Sequence, residues 1–349
     1  MKIEDYLDKS VVSSLLKAKW DIKKANDWYK EQPWFVGCNY IPSDAINQIE
    51  MFQKETFNPD RINQELTWAE ELGFNSLRVF LHFLLWKDDF SGFKRRLNRF
   101  LDICERHHMR VLFVLFDDMW NQDPELGTQP DLLPGVHNSG WVASPGRKRV
   151  LDETYYPDLK DYVQDIISYY TLDERILGWD LYNEPGNMGM KNKSFPLVIA
   201  SFLWARECNP SQPITVGLWQ FHLKGKNWKD LESICIQSSD IISFHDYREV
   251  EKTIGTIQDF KKGKRPILCT EYLARTFNNI FETHLPLFKK YKIGAFNWGF
   301  ISGKTQTVYS WLSKKGDPIP EIWFHDIFHE DGTAYSTHEI NFLKSMIKK

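Results

Sequence analysis

A chain of 349 residues with 44 basic and 47 acidic side chains carries a formal net charge of −3, which lacks the electrostatic footprint that a nucleic-acid or anionic membrane partner needs. Hydrophobic residues make up 42% of it, enough to bury a large core in one barrel-sized domain or two smaller ones. Five scattered cysteines (Cys38, Cys104, Cys208, Cys235 and Cys269) with no Cys-x-x-Cys pair read as buried thiols of a reducing compartment, not as a disulfide framework.

The first residues, Met-Lys-Ile-Glu-Asp-Tyr-Leu, contain no apolar signal core, and no later run is long or apolar enough to cross a membrane. The expectation is a cytoplasmic protein. A sequence from which a signal peptide had been removed would look the same and belong to a secreted or periplasmic one.

In chain order, short apolar runs predict eight strands, at 34–40, 76–82, 111–117, 176–183, 214–219, 241–245, 267–270 and 294–298. Segments with helical period lie between them, at 60–72, 93–108, 157–170, 195–207, 250–261 and 278–291. In the second of these, Phe93, Leu97, Phe100, Leu101 and Cys104 share the spacing of one buried helix face. Alternating strand and helix imply parallel pairing with right-handed crossovers, and eight repeats imply closure into a single (β/α)8 TIM barrel. No linker, repeat or low-complexity tract interrupts the pattern, so residues 1–349 read as one domain, with 1–33 a helical extension across the barrel's bottom.

Two long connections, 120–156 and 302–322, follow the third and eighth strands and therefore overhang the face where barrel enzymes place their sites. They carry His137, Asn138, Trp141, Gln306 and Trp311. Loops of this length and content are expected to set substrate choice.

Two acids stand out. Glu184 and Glu271 each end an apolar run, and a carboxylate at the carboxyl end of a barrel strand is presented into a cleft rather than packed. A pair from different strands is what cleavage of a glycosidic bond requires: one carboxyl protonates the leaving oxygen while the other attacks or stabilises the anomeric carbon. Arg78, on the second strand, could hold Glu271 ionised or form a structural ion pair with Asp180. Tyr247 can donate to Glu271, and His245 can bond sugar hydroxyls or orient that network. Trp298 offers a flat face to a pyranose ring, with Trp86, Trp120, Trp141 and Trp219 as weaker platforms. Strand alternation puts His82 on Arg78's face, lining the site or packing in the core. Asp117 and Asp118 suit a sugar-hydroxyl or loop-anchoring role, because no His-x-His or acidic-loop spacing supports a metal. His107 and His108 read as helix-end residues.

These motifs together resemble a clan A glycoside hydrolase, close to family 5, the cellulase family. The resemblance rests on Asp-Leu-Tyr-Asn-Glu-Pro ending at Pro185, Thr-Glu-Tyr around Glu271, Arg78 in Leu-Arg-Val-Phe, His245 and Tyr247 in Phe-His-Asp-Tyr, and Trp298 in Asn-Trp-Gly, and it spans most of 34–300. It implies that Glu184 is the acid/base, Glu271 the nucleophile and Asn183 the partner of the sugar's 2-hydroxyl, in a retaining, cofactor-free β-glycosidase. One departure concerns the third strand, which ends in Phe-Asp-Asp-Met-Trp where family 5 usually has a histidine; it leaves the substrate open. The competing readings are a carbohydrate-binding barrel without catalysis, and a metal-dependent barrel hydrolase using Asp117, Asp118 and Glu184. The oligomeric state is not legible in the sequence.

Overall fold

The computed structural model describes residues 3–219 and 229–348. Its centre is a closed barrel of eight strands in sequential order: β1 Val36–Asn39, β2 Ser76–Phe80, β3 Arg110–Asp117, β4 Ile176–Asn183, β5 Ile214–Leu218, β6 Ile242–His245, β7 Ile267–Tyr272 and β8 Gly294–Asn297. Every neighbouring pair is parallel. Side chains on both faces are buried, inward in the barrel and outward under helices, which is why the strands read as continuous apolar runs rather than alternating ones.

The crossover helices Phe195–Glu207 and Val250–Lys261 have the predicted bounds. Helix Pro59–Leu72 is bounded by local chemistry: the Asn58 side chain accepts from Arg61 N–H at the start, and Gly73 adopts a left-handed φ of 93° at the end. The predicted helix at 93–108 is longer, Phe83–Arg106, with a non-helical break at Asp89. Its five signature residues are all buried, as their spacing implies. Helices Lys229–Ser238 and Thr337–Ile347 lie outside the segments singled out in the sequence.

The leading segment contributes two helices. Lys9–Ala18 packs on the outside of the barrel against Phe195–Glu207. Ile22–Lys30 covers the bottom, where its Trp28 and Tyr29 close on Phe35, Leu112, Leu177, Ile241, Leu268 and Phe296. Each such side chain contributes about 1.5–3 kcal/mol by leaving water.

The two long connections are ordered rather than structureless. Backbone bridges Asp117–Ser144 and Asn121–Val142 fold the first back on itself, and a short helix, Arg147–Leu151, follows. The connections are then sewn to each other. Gln306 donates from Nε2 to the carbonyls of Leu133 and Val136 at 2.7 and 3.0 Å, and its Oε1 accepts from Gly135 N–H at 3.0 Å. His137 Nδ1 lies 2.8 Å from the Tyr309 carbonyl, and Asn138 N–H donates to the Thr305 carbonyl at 2.8 Å. Because β8 and β3 flank β1 and β2, this seam forms a wall over that quarter of the barrel mouth.

All five cysteines are free thiols, four buried and Cys208 half-buried. Among the described residues no helix is long and apolar enough to cross a membrane.

Candidate active site

Arg78 organises the site. It is wholly buried at the mouth of β2, and each of its donors has an acceptor. Nε and Nη2 donate to Asp180 Oδ2 at 3.0 and 2.8 Å. Nη1 donates to Asn39 Oδ1 at 2.9 Å and Glu271 Oε1 at 2.7 Å, and Nη2 also reaches Asn183 Oδ1 at 2.7 Å. The two roles weighed for Arg78, holding Glu271 and pairing with Asp180, are therefore both geometrically realised. A buried guanidinium with this many partners cannot be lost without stranding the carboxylates that face it. β5 contributes Gly217, whose N–H donates to Asp180 Oδ1 at 3.0 Å and whose carbonyl accepts from Glu184 N–H at 3.0 Å.

Glu184 and Glu271 meet across the mouth. His245 stands between them, with Nδ1 at 2.6 Å from Glu184 Oε1 and 3.4 Å from Glu271 Oε2. An oxygen of each carboxyl and that nitrogen all lie within 4.8 Å of one another. The other partners differ. Glu184 Oε2 accepts from the Asn187 amide at 2.6 Å, whereas Glu271 accepts from the Arg78 guanidinium and, at 2.8 Å, from Tyr247 O–H.

Burial pushes the Glu184 carboxyl up to about 7, against the pull of Asn187 and Arg78. Burial raises Glu271 as well, while His245, Arg78 and Tyr247 oppose it and Glu184 adds to it. A single proton shared by the pair belongs on Glu184, since among the described residues Glu271 alone of the two takes a cationic donor, Arg78, and a phenol besides. Burial drives His245 down to about 4, so the imidazole is neutral near pH 7. The backbone at Glu184 is left-handed, with φ of 45°, a conformation that costs a non-glycine residue energy and aims its side chain inward off the strand end.

Asn183, the last residue of β4, is locked in one amide orientation. Its Oδ1 accepts from Arg78, and its Nδ2 donates to Asp117 Oδ1 at 2.9 Å. The second Nδ2 hydrogen remains for the cleft. Asp117 also accepts from Trp141 Nε1 at 2.8 Å and from Met119 N–H at 2.9 Å. Burial pushes its carboxyl up to about 8 against these three donors.

The cleft itself encloses about 320 Å³, within the range of small-ligand sites. Of the expected residues, Asn183, Glu184, His245, Tyr247, Glu271, Trp298 and Trp120 line it, together with Trp141 and Trp219. Trp298 packs edge-on against Phe80 and Trp141, with ring centroids 5.8 and 5.6 Å away. Arg78 supports this lining from behind.

Three expectations need correction. His82 does not line the cleft: β2 ends at Phe80, so alternation no longer governs it, and its ring caps the next helix, Nδ1 accepting from Leu84 N–H and Nε2 facing the Ala143 carbonyl. Asp118 is not at the cleft either. It accepts from Tyr182 O–H at 2.7 Å, Gly186 N–H at 2.6 Å and the Ser194 hydroxyl, and so anchors the turn that carries Glu184. Trp86 is buried on the helical layer, donating to Asp165. His107 sits at a helix end beside Glu70.

Sequence reasoning missed Asn187, Met119 and Arg248, which also line the cleft. They sit past strand ends, where no periodicity marks them.

The metal alternative placed Asp117, Asp118 and Glu184 around an ion. The structure turns both aspartates to N–H and O–H donors instead. Among the described residues the one cluster of metal-ligating type is Glu184, His245 and Glu271, and a cation there would meet the Arg78 charge 2.7 Å from Glu271. The arrangement is better suited to moving a proton and a glycosyl group.

No sequence-family model matches the chain, and no curated protein sequence matches it. Its fold is that of the family 5 glycosidase barrels. The GH5_18 enzyme of Streptomyces cattleya, in complex with Manβ1-4GlcNAc, superposes with a TM-score of 0.63 at 10% identity over 90% of this chain and 80% of that one. The exo-β-1,4-mannosidase Op5Man5 of Opitutaceae bacterium strain TAV5 gives 0.59 at 15% identity, over 90% and 59%. The endo-1,4-β-mannanase of Rhizomucor miehei gives 0.58 at 12%, over 90% and 98%. At such identities the likeness establishes the fold, and function has to be argued from the site.

Proposed function

We propose that this protein is a retaining β-glycoside hydrolase, with Glu184 the acid/base and Glu271 the nucleophile. The observation that carries the reading is the carboxyl pair: an oxygen of each lies within 4.8 Å of the other, a close approach that supports double displacement, whose carboxyls stand roughly 5 Å apart, over an inverting pair spread to admit a water. The asymmetry of the surroundings assigns the roles. Glu271, held by Arg78 and Tyr247, is the anion that attacks the anomeric carbon. Glu184, pushed up to about 7, carries the proton that the leaving oxygen takes, and then draws a proton from the water that releases the sugar.

Trp298 supplies the face under the ring, and the Asn183 amide reaches the 2-hydroxyl, a contact that strengthens as the ring flattens toward the oxocarbenium ion. His245, neutral, orients both carboxyls. A binding-only barrel has no need of a proton-holding acid beside a cation-held one. Several structural neighbours are mannosidases and mannanases, which makes β-mannosides the first substrates to try, beside β-glucosides.

The test is stereochemical. Proton NMR of early product from a 4-nitrophenyl β-glycoside should show the β-anomer first. Glu184→Ala should keep the first step on this good leaving group, and azide should accelerate turnover to a β-glycosyl azide, whereas Glu271→Ala should lose turnover altogether. An α-anomer as first product, or azide rescue of the β-product in Glu271→Ala alone, would overturn the assignment.

A further inference from the structure

The wall of sewn loops ends the cleft on one side, and one residue in it is unusual. Asn138 is 1% exposed, yet neither its Oδ1 nor its Nδ2 has a hydrogen-bond partner among the described residues. A buried amide with both ends unpaired is costly, because each group has lost its water without gaining a partner. Its backbone, by contrast, is fully committed: N–H donates to the Thr305 carbonyl at 2.8 Å and the carbonyl accepts from Trp141 N–H at 3.0 Å. The left-handed φ of 47° fixes how the side chain leaves the chain. It borders the cleft beside Trp141 and Trp298.

The chemistry of the two glutamates tells which side of the scissile bond this is. Glu184 protonates the leaving oxygen, so the departing part of the substrate lies toward its neighbours Asn187 and Trp219. The ring that Glu271 attacks lies on Trp298, and beyond that ring stand Trp141 and Asn138. Behind them the structure holds a space of only about 20 Å³, room for roughly one water and far too little for a second sugar.

We infer that the cleft accepts only the non-reducing terminal sugar of a chain, and that Asn138 is the specificity-determining residue that hydrogen-bonds the hydroxyls of that ring opposite the anomeric carbon. The inference rests on the glycosidase reading above and adds to it the mode of attack and the group that reads the chain end. The amide's donor and acceptor match a hydroxyl, which offers both. A ring carrying another sugar at that position would thrust it into the wall.

The experiment uses the 4-nitrophenyl β-D-mannoside or β-D-glucoside, whichever is turned over faster, its 4-deoxy analogue, and the matching β-1,4-linked trisaccharide with and without a methyl group on the terminal O4. Wild-type protein should prefer the parent glycoside over the deoxy analogue by about 10- to 100-fold in kcat/KM, and should leave the methyl-capped trisaccharide intact. Asn138→Gly keeps the left-handed backbone and both main-chain bonds while removing the amide, and Asn138→Asp keeps the shape while removing the donor. In Asn138→Gly the parent should fall toward the deoxy analogue and the preference should shrink close to unity, and in Asn138→Asp, which still accepts from the hydroxyl, it should shrink part of the way, a coupling that a merely structural residue does not produce. Cleavage of the capped trisaccharide at the uncapped rate, or an undiminished preference in both variants, overturns the inference. Turnover by Glu271→Ala at the wild-type rate would instead remove the glycosidase reading itself.

Discussion

The two ends of the barrel are built from the same strands by opposite means. At the bottom, Leu112, Leu177, Leu268 and Phe296 close on Phe35 under Trp28 and Tyr29, and stability comes from area withdrawn from water. At the top, a few residues along the same strands, the buried groups are Arg78, Asp180, Asn183, His245 and Glu271, each of which loses hydration and recovers it only through partners. On β7 the contrast is three residues long, from Leu268 to Glu271. On the proposed function, β7 carries stability at Leu268 and reactivity at Glu271, so a change at either of these two should move one property and spare its counterpart.

That separation can be broken most forcefully on β7. Glu271→Ala should lower turnover of a 4-nitrophenyl glycoside by ~10⁴-fold or more, with the unfolding midpoint shifted little, since Arg78 keeps Asp180. Leu268→Ala should do the reverse, costing about 2–5 kcal/mol in denaturant unfolding at unchanged kcat. A Glu271→Ala protein that fails to fold would show that the top end also carries stability.

Asp117→Asn sharpens the comparison within the top end. All the donors on Asp117 are N–H groups, so an asparagine must turn its own NH2 toward one of them, at a cost on the order of 1–3 kcal/mol. If Asp117 works by orienting Asn183, kcat/KM should fall about 10- to 100-fold on the parent glycoside and much less on its 2-deoxy analogue. Equal losses on both substrates would reduce Asp117 to a support for Trp141.

The smallest effect is on pH. With Glu184 as the proposed acid, turnover requires it protonated, and burial pushes its carboxyl up to about 7, so activity should decline as pH rises through that value. Asn187 donates to the ionised form and holds the carboxyl down. Asn187→Ala should therefore displace the alkaline limb upward, as read from kcat/KM against pH. A limb that stays in place assigns it to another group.

The strands were legible because a parallel barrel buries both faces and leaves unbroken apolar runs; β4 matches its predicted bounds of 176–183. Glu184 and Glu271 were legible because acids terminate such runs. His82 misled because alternation was extended past the true end of β2, where the ring caps a helix instead. Of the two roles weighed for the adjacent aspartates, sugar binding and loop anchoring, the fold gives Asp118 the second, beneath the Glu184 turn, and sends Asp117 toward Asn183; the sequence cannot tell two neighbouring acids apart. Asn187 and Asn138 carry no periodic signal at all. Asn138 is placed by long-range contacts such as those joining 133–138 to 305–309, and Asn187 by the turn after β4 that Asp118 anchors at Gly186; no periodicity encodes either.

Gly217 offers its peptide group to Asp180 and Glu184, but its larger contribution is the side chain it lacks. A Cβ there would stand 2.9 Å from His245 Nε2 and 3.0 Å from Arg78 Nη2. The guanidinium and the imidazole can approach one another only because β5 leaves its inward place empty between them. A search for reactive atoms passes over this position, yet even a methyl group would drive apart the cation and the ring on which both glutamates depend. The barrel thus encodes part of its chemistry as clearance.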